Sequence, residues 1–202
     1  MQHQTTDNLD QSNQTSPKPK IIGLYGIPGT GKTYLIRQLQ ERLSHAHFAF
    51  SEGSEVVDKL VPGGLPAFKS ASDDAKVDWR RKAIFNIKNQ CAASGKVGIV
   101  TGHFVLGATA DHLGSEVWTA ADAEAYTHIL YLGVEAELVA ERRQQDHTRP
   151  DCSQLSASRL RDWQIHEQVE LRRLCREHNS LSGISDPSIT LRLVDLLNDF
   201  RE

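Results

Sequence analysis

The chain has 202 residues, 39 % of them hydrophobic, enough for one sizeable core and consistent with a single globular domain. A formal net charge of −3 supplies no basic field for general nucleic-acid binding, and no segment approaches the roughly eighteen apolar residues that a membrane-spanning helix needs. The three cysteines, Cys91, Cys152 and Cys175, lack the paired spacing of zinc or redox sites, so the expectation is a soluble cytoplasmic protein with reduced thiols.

Residues 1–19 differ in composition from the rest. Gln, Asn, Ser, Thr and Asp dominate, Leu9 is the one sizeable aliphatic after Met1, and Pro17-Lys18-Pro19-Lys20 closes the stretch. Such a segment buries too little apolar surface to offset its ordering entropy, so it reads as a disordered tail ahead of a domain over 20–202. It has neither the apolar core of a secretion signal nor the arginines of a transit peptide.

The first strand is expected at 21–25 (IIGLY), and directly after it stands Gly26-Ile27-Pro28-Gly29-Thr30-Gly31-Lys32-Thr33, a G-x-x-x-x-G-K-T phosphate loop. Gly26, Gly29 and Gly31 let the backbone wrap around phosphate oxygens, and the loop opens a helix whose first N–H groups and positive dipole end attract an anion. Nucleotide binding is therefore expected along Gly26, Ile27, Pro28, Gly29, Thr30, Gly31, Lys32, Thr33 and Tyr34. In this pattern Lys32 reaches the β- and γ-phosphates as a catalytic cation, and the Thr33 hydroxyl is the Mg²⁺ ligand. Leu35, Ile36, Leu39 and Leu43 share one face of the helix that follows, expected over 32–45.

Further buried-type strands are expected at 47–51, 97–101 and 128–132, with a fifth near 180–185. Helices are expected at 54–60, 72–94, 120–127, 135–146, 155–178 and 189–200. Thr119 with Asp122 forms a capping box, and Ser156 stands at a second helix start. Residues 52–70, with Gly53, Pro62, Gly63, Gly64 and Pro66, read as a loop-rich insertion, and 143–154 as a polar loop between two helices. Alternating strands and helices predict an α/β fold: a three-layer α/β/α sandwich on a mostly parallel sheet, with ligands at the carboxyl ends of the strands.

Three classes share the loop. GTP-binding switches need a strand before D-x-x-G and an N-K-x-D base reader; Asp111-His112-Leu113-Gly114 follows no apolar strand, and N-K-x-D is absent from the sequence. Mechanical ATPases of the AAA+ and helicase type need an apolar strand ending in an acidic pair, whereas 97–101 leads into Gly102-His103. The remainder resembles the nucleoside-monophosphate-kinase-like group of small phosphotransferases. Glu52-Gly53-Ser54, Thr101-Gly102-His103-Phe104, Glu141-Arg142-Arg143 and Trp163-Gln164-Ile165-His166-Glu167 are, more closely, similar to kinase-like domains of filamentous fungi with no firm substrate. The resemblance implies a substrate-binding insertion after the second strand and an arginine-bearing lid, with Arg142, Arg143 and Arg149 folding over the triphosphate. The Asp-Gly-Tyr-Pro-Arg segment of adenylate kinase is missing, which argues against AMP as acceptor.

Phosphoryl transfer needs positioning, Mg²⁺ and positive charge on the equatorial oxygens, and arginine meets phosphate bidentately. Glu52, after the second strand, is the first candidate for a base or metal-shell carboxylate, with Glu55 and Asp58 behind it. His103, Gly102 and Gly53 are candidate acceptor-site residues, His103 by hydrogen bonding and Gly102 by allowing close approach. Trp163 belongs with Leu160, Leu171 and Leu174 in an apolar stripe; Arg80 and Arg81 read as a solvated face, with facing the acceptor site as the alternative. The expected function is ATP- and Mg²⁺-dependent phosphorylation of a small-molecule acceptor: a nucleoside, nucleotide or metabolite alcohol. The alternative is a nucleotide-binding or slowly hydrolysing module that regulates a partner.

Overall fold

The computed structural model describes residues 18–106, 109, 111–112, 114–146, 155–178, 181–185 and 190–199. Strand β1 (Ile21–Tyr25) is completely buried and runs into the phosphate loop and helix α1 (Lys32–Arg42). Strand β2 (Phe48–Glu52) leads without a gap into α2 (Gly53–Leu60), which is followed by α3 (Gly64–Ser70) and the long α4 (Asp73–Ser94). After β3 (Val97–Thr101) come a two-residue β4 (Val105–Leu106) and β5 (Ser115–Glu116), then α5 (Ala120–Ala125) and β6 (His128–Leu132). Helices α6 (Ala136–Gln145) and α7 (Ala157–Glu177), strand β7 (Leu181–Ser185) and helix α8 (Thr190–Asp199) complete the order.

The central sheet has the order β2-β3-β1-β6-β7 and every pairing in it is parallel. Alternation along β1 sorts its side chains between two layers. Ile22 and Leu24 pack with Leu35, Leu39, Phe48, Leu193 and Leu197, so α1 and α8 cover one face. Ile21 and Tyr25 pack with Ile84, Ile87, Ile129, Leu160 and Trp163, so α4, α5 and α7 cover the other. Full burial of each such aliphatic side chain contributes about 1.5–3 kcal/mol, which is why the centre of this sheet reads as continuous apolar runs. Local signals agree with the packing. Ser72 and Ser156 cap α4 and α7 through their hydroxyls, and Thr119 with Asp122 forms the expected reciprocal box on α5.

Two sequence expectations are corrected. The 52–70 stretch is not loop-rich: besides α2, which matches the helix expected at 54–60, it holds a second helix, α3, and the pair is closed over α4 by Val57, Val61, Phe68 and Ala83. Pro66 sits in the first turn of α3, where a missing N–H costs nothing, and Asp58 accepts the Leu65 N–H at 2.6 Å to fix the α2–α3 corner. The antiparallel pair β4–β5 was not expected at all, and Asp111, His112 and Gly114 lie in its connection.

Candidate functional site

At the carboxyl end of β1 the loop backbone has the conformation an anion cradle requires. Gly26, Gly29 and Gly31 have φ of 152°, 99° and 92°, a region that side chains other than hydrogen rarely tolerate. At Gly29 a Cβ would also stand 2.9 Å from Arg143 Cγ and 3.1 Å from Val139 Cγ1. Helix α1, with Gly31 as its N-cap, has no side-chain cap and no acidic residue in its first turn, an arrangement that suits an anion at the helix start. Thr30 is fully buried and its hydroxyl donates to the Ile27 carbonyl at 2.9 Å, tightening the turn; Ile27 itself is buried in the core. The Lys32 side chain folds back along the loop, its ammonium donating to the carbonyls of Gly26 and, at 3.2 Å, Ile27.

Glu52 is the last residue of β2 rather than the residue after it, and also caps α2. That position brings its carboxylate to the loop: the Thr33 hydroxyl donates to Glu52 Oε2 at 3.1 Å. Hard oxygen donors from a hydroxyl and a carboxylate, side by side at the phosphate end of α1, suit Mg²⁺, which takes one or two protein ligands and completes its shell with water and phosphate oxygens. Glu55 is exposed, and Asp58 is occupied by the Leu65 amide. Tyr34 projects into solvent from α1.

The two adjacent arginines of α6 have different environments. Arg143 is buried; its guanidinium donates to the Pro28 carbonyl at 3.2 Å and lies over the Trp163 ring, 5.9 Å from the centroid. Arg142 is exposed and donates to the Thr30 carbonyl at 3.4 Å. Arg149 lies outside the described residues.

Gly102 and Gly53, expected at an acceptor site, each have a packing reason to be glycine. A Cβ on Gly102 would meet the Tyr25 ring at 3.2 Å, and one on Gly53 would stand 2.9 Å from the Thr101 carbonyl. His103 follows, beside a cluster in which Trp118 stacks on Tyr126 at 6.0 Å and meets Tyr25 at 6.1 Å. Burial pushes the hydroxyls of Tyr25 and Tyr126 up, with the Asp122 charge adding to the effect. Arg81 belongs to the solvated face as expected, paired with Asp78 at 2.5 Å. Arg80 does not. It is half-buried over the Phe68 ring at 5.2 Å, facing the charge of Asp122, and burial lowers its pKa.

Sequence reasoning missed Glu167 as a site element. It is fully buried on α7 and accepts the Val105 N–H at 2.9 Å and the Tyr131 hydroxyl at 2.9 Å. Burial pushes its carboxyl up, while those donors and the nearby Lys32 charge pull the other way. The available signal was position: residue 167 falls in the Leu160, Trp163, Leu171, Leu174 stripe, where a carboxylate is unexpected. Gln164, one turn earlier, brackets Val134 by accepting its N–H at 3.2 Å and donating to its carbonyl at 2.9 Å.

A glycine-lined loop between a buried parallel strand and an uncapped helix, with a lysine on the loop and a threonine at its end, defines a P-loop nucleotide-binding protein of kinase-like α/β fold. The family assignment agrees: a model of the AAA domain matches residues 25–161, and the chain belongs to that family of P-loop NTPases. Among solved structures the fold is similar to shikimate kinase from Bacteroides thetaiotaomicron, at TM-score 0.55 and 16 % identity over 89 % of this chain and 98 % of that one. It is also similar to a sugar kinase from Janibacter sp., at TM-score 0.51 and 16 % identity over 89 % and 95 % of the two chains. No curated protein sequence matches significantly. The fold is thus that of small P-loop kinases, and β3, which neighbours β1, carries no carboxylate at its end. No helix among the described residues is long and apolar enough to cross a membrane.

Proposed function

We propose that the protein is an ATP- and Mg²⁺-dependent phosphotransferase acting on a small-molecule acceptor. The observation that carries this reading is the contact between the Glu52 carboxylate and the Thr33 hydroxyl at the mouth of the phosphate loop. The carboxylate reaches the γ-phosphate region from the end of β2, the edge strand separated from β1 by β3. A kinase needs one there to orient the acceptor hydroxyl, take its proton, or complete the metal shell. The loop amides and Lys32 would hold the β- and γ-phosphates, and Thr33 with Glu52 would hold Mg²⁺, whose charge would offset that on the phosphoryl oxygens. Arg142 is exposed and donates to the Thr30 carbonyl, which supports assigning it, of the two α6 arginines, to the nucleotide. Arg143 acts from beneath, holding the loop backbone. Arg149, in the segment after α6, supplies the second lid cation.

The acceptor site lies between the α2–α3 pair, the start of α4 and the strand end at Gly102-His103. Arg80 is its half-buried cation, which favours an acceptor carrying a carboxylate or phosphate beside the hydroxyl that is phosphorylated. The kinase fold of the two structural neighbours supports the reaction class, not the acceptor's identity. The test is ADP production by purified protein with ATP and Mg²⁺, with and without a pool of small anionic alcohols. Acceptor-dependent ADP, with phosphorylated products found by mass, supports the reading. A rate that no acceptor raises would replace it with the regulatory binding module.

A further inference from the structure

Glu167 makes contacts with no evident packing purpose. A carboxylate in the apolar stripe of a buried helix carries a desolvation cost, and a leucine there would fill the space at none. What it receives in return are two specific donors from distant parts of the chain. One is the backbone N–H of Val105, two residues past His103, at 2.9 Å; the other is the hydroxyl of Tyr131 in β6, also at 2.9 Å. Tyr131 in turn is the register partner of Tyr25, the residue before the phosphate loop, and shares a buried cluster with Ile27, the second residue of that loop. A path therefore runs from the base of the loop through Tyr131 and Glu167 to Val105, in a region where Phe104, Val105 and Ile27 are all fully buried. The Lys32 ammonium, held on the Ile27 carbonyl, adds its charge beside the same carboxylate.

We propose that Glu167 is a positioning residue that couples nucleotide binding at the phosphate loop to the acceptor-side strand end, through Tyr131 at the base of the loop, Glu167 and Val105. The inference rests on the phosphotransferase reading, since it assigns Gly102-His103 to the acceptor side. In-line transfer requires the attacking oxygen and the γ-phosphorus to be held at a fixed separation. The loop and the 102–105 segment are on different strands, and two hydrogen bonds to one rigid carboxylate fix their spacing. Buried polar networks of this kind specify one arrangement when every member is satisfied. Gln164 on the same helix grips Val134 ahead of α6, so α7 sets the position of the loop, the acceptor edge and the arginine helix from one rigid body.

The test reads the coupling directly and needs no acceptor. Amide hydrogen exchange of the full chain is followed with and without Mg²⁺ and a non-hydrolysable ATP analogue, comparing Val105 with His47, an exposed turn amide ahead of β2 that opens locally. In the parent protein the analogue slows Val105 at least ~10-fold more than His47, inside the roughly 5–150-fold range of coupling between sites. In Tyr131→Phe, which keeps the ring and the Val105 bond but cuts the path, the analogue still binds and the excess slowing falls below about 2-fold. Glu167→Gln, which cannot accept from both donors, loses the excess as well, and gives a second route should the phenylalanine variant unfold. A residue that merely packs would lower the melting temperature in both variants without changing this ligand-dependent difference. Excess slowing that survives in Tyr131→Phe, or that is missing from the parent while the analogue binds, overturns the inference and leaves the functional reading standing. An analogue that does not bind the parent overturns both.

Discussion

Replacing Arg143 with methionine separates a structural arginine from its functional neighbour. Methionine keeps the unbranched stem that packs on Gly29 and Val139 but removes the guanidinium. Two interactions with described residues go with it. The donor to the Pro28 carbonyl at 3.2 Å is a charge-assisted hydrogen bond, a kind that contributes about 1.5–3 kcal/mol. The Trp163 contact at 5.9 Å lies near the outer limit for a cation over a ring and adds about 0.5 kcal/mol, the low end of its range. Their sum is at least about 2 kcal/mol, and at roughly 2–4 °C per kcal/mol for a domain of this size the melting temperature falls by about 4–8 °C. Arg142→Met removes an exposed group with one 3.4 Å bond, so its effect stays within about 0.5 kcal/mol, or under roughly 2 °C. Thermal unfolding followed by far-ultraviolet circular dichroism, with ATP titration of each variant, distinguishes the two. Arg143→Met lowers stability and weakens ATP binding because the loop it braces loosens; Arg142→Met melts like the parent. Equal melting temperatures for the two variants would refute the division of roles.

Lys32→Ala removes most nucleotide affinity or turnover while the circular dichroism spectrum is retained, and undiminished ATP binding in calorimetry would contradict the phosphate-loop role. Thr33→Ala weakens binding chiefly when Mg²⁺ is present; an equal loss with and without the metal would remove its ligand role. Glu52→Gln slows single-turnover transfer by at least ~100-fold while the ATP dissociation constant changes far less, as expected for loss of a general base. The buried Glu167 carboxyl sits above its ordinary range, so it favours the folded state most in acid, and that contribution is lost as pH rises through the raised value. The stability difference between parent and Glu167→Gln therefore changes with pH upward from the usual carboxylate range, and a pH-independent difference would contradict it. Deletion of residues 1–18 is expected to leave the melting temperature within about 2 °C, no more than the low end of the roughly 2–4 °C that a lost 1 kcal/mol produces.

Periodicity made most of the fold legible. The strands at 21–25, 97–101 and 128–132 match β1, β3 and β6 residue for residue, because a strand buried on both faces admits only apolar residues. The phosphate loop was legible because its glycines are dictated by backbone angles, a local property. The α3 helix was not, since Gly63, Gly64 and Pro66 are common to turns and to helix starts, and only Phe68 docking under Arg80 decides between them. Arg143 and Arg142 look alike in sequence; helical spacing puts Arg143 four residues after Val139 on the buried face, a signal that basic residues at a helix end conceal. Glu52 was found but placed one residue late, and its partner Thr33 could not be read because contact across the sheet edge is tertiary. The Val105–Glu167 bond spans 62 residues, and no spacing rule anticipates it.

Tracing the γ-phosphoryl group tests the central claim most directly. Protein is incubated with Mg²⁺ and ATP labelled at the γ-phosphoryl, together with a pool of small anionic alcohols, and the label is apportioned between free phosphate and organic product. The account predicts that most of the label leaving ATP appears on one organic acceptor, in a reaction that Lys32→Ala abolishes and Glu52→Gln slows by at least ~100-fold. Label that goes to free phosphate at the same rate with every acceptor present or absent would contradict it.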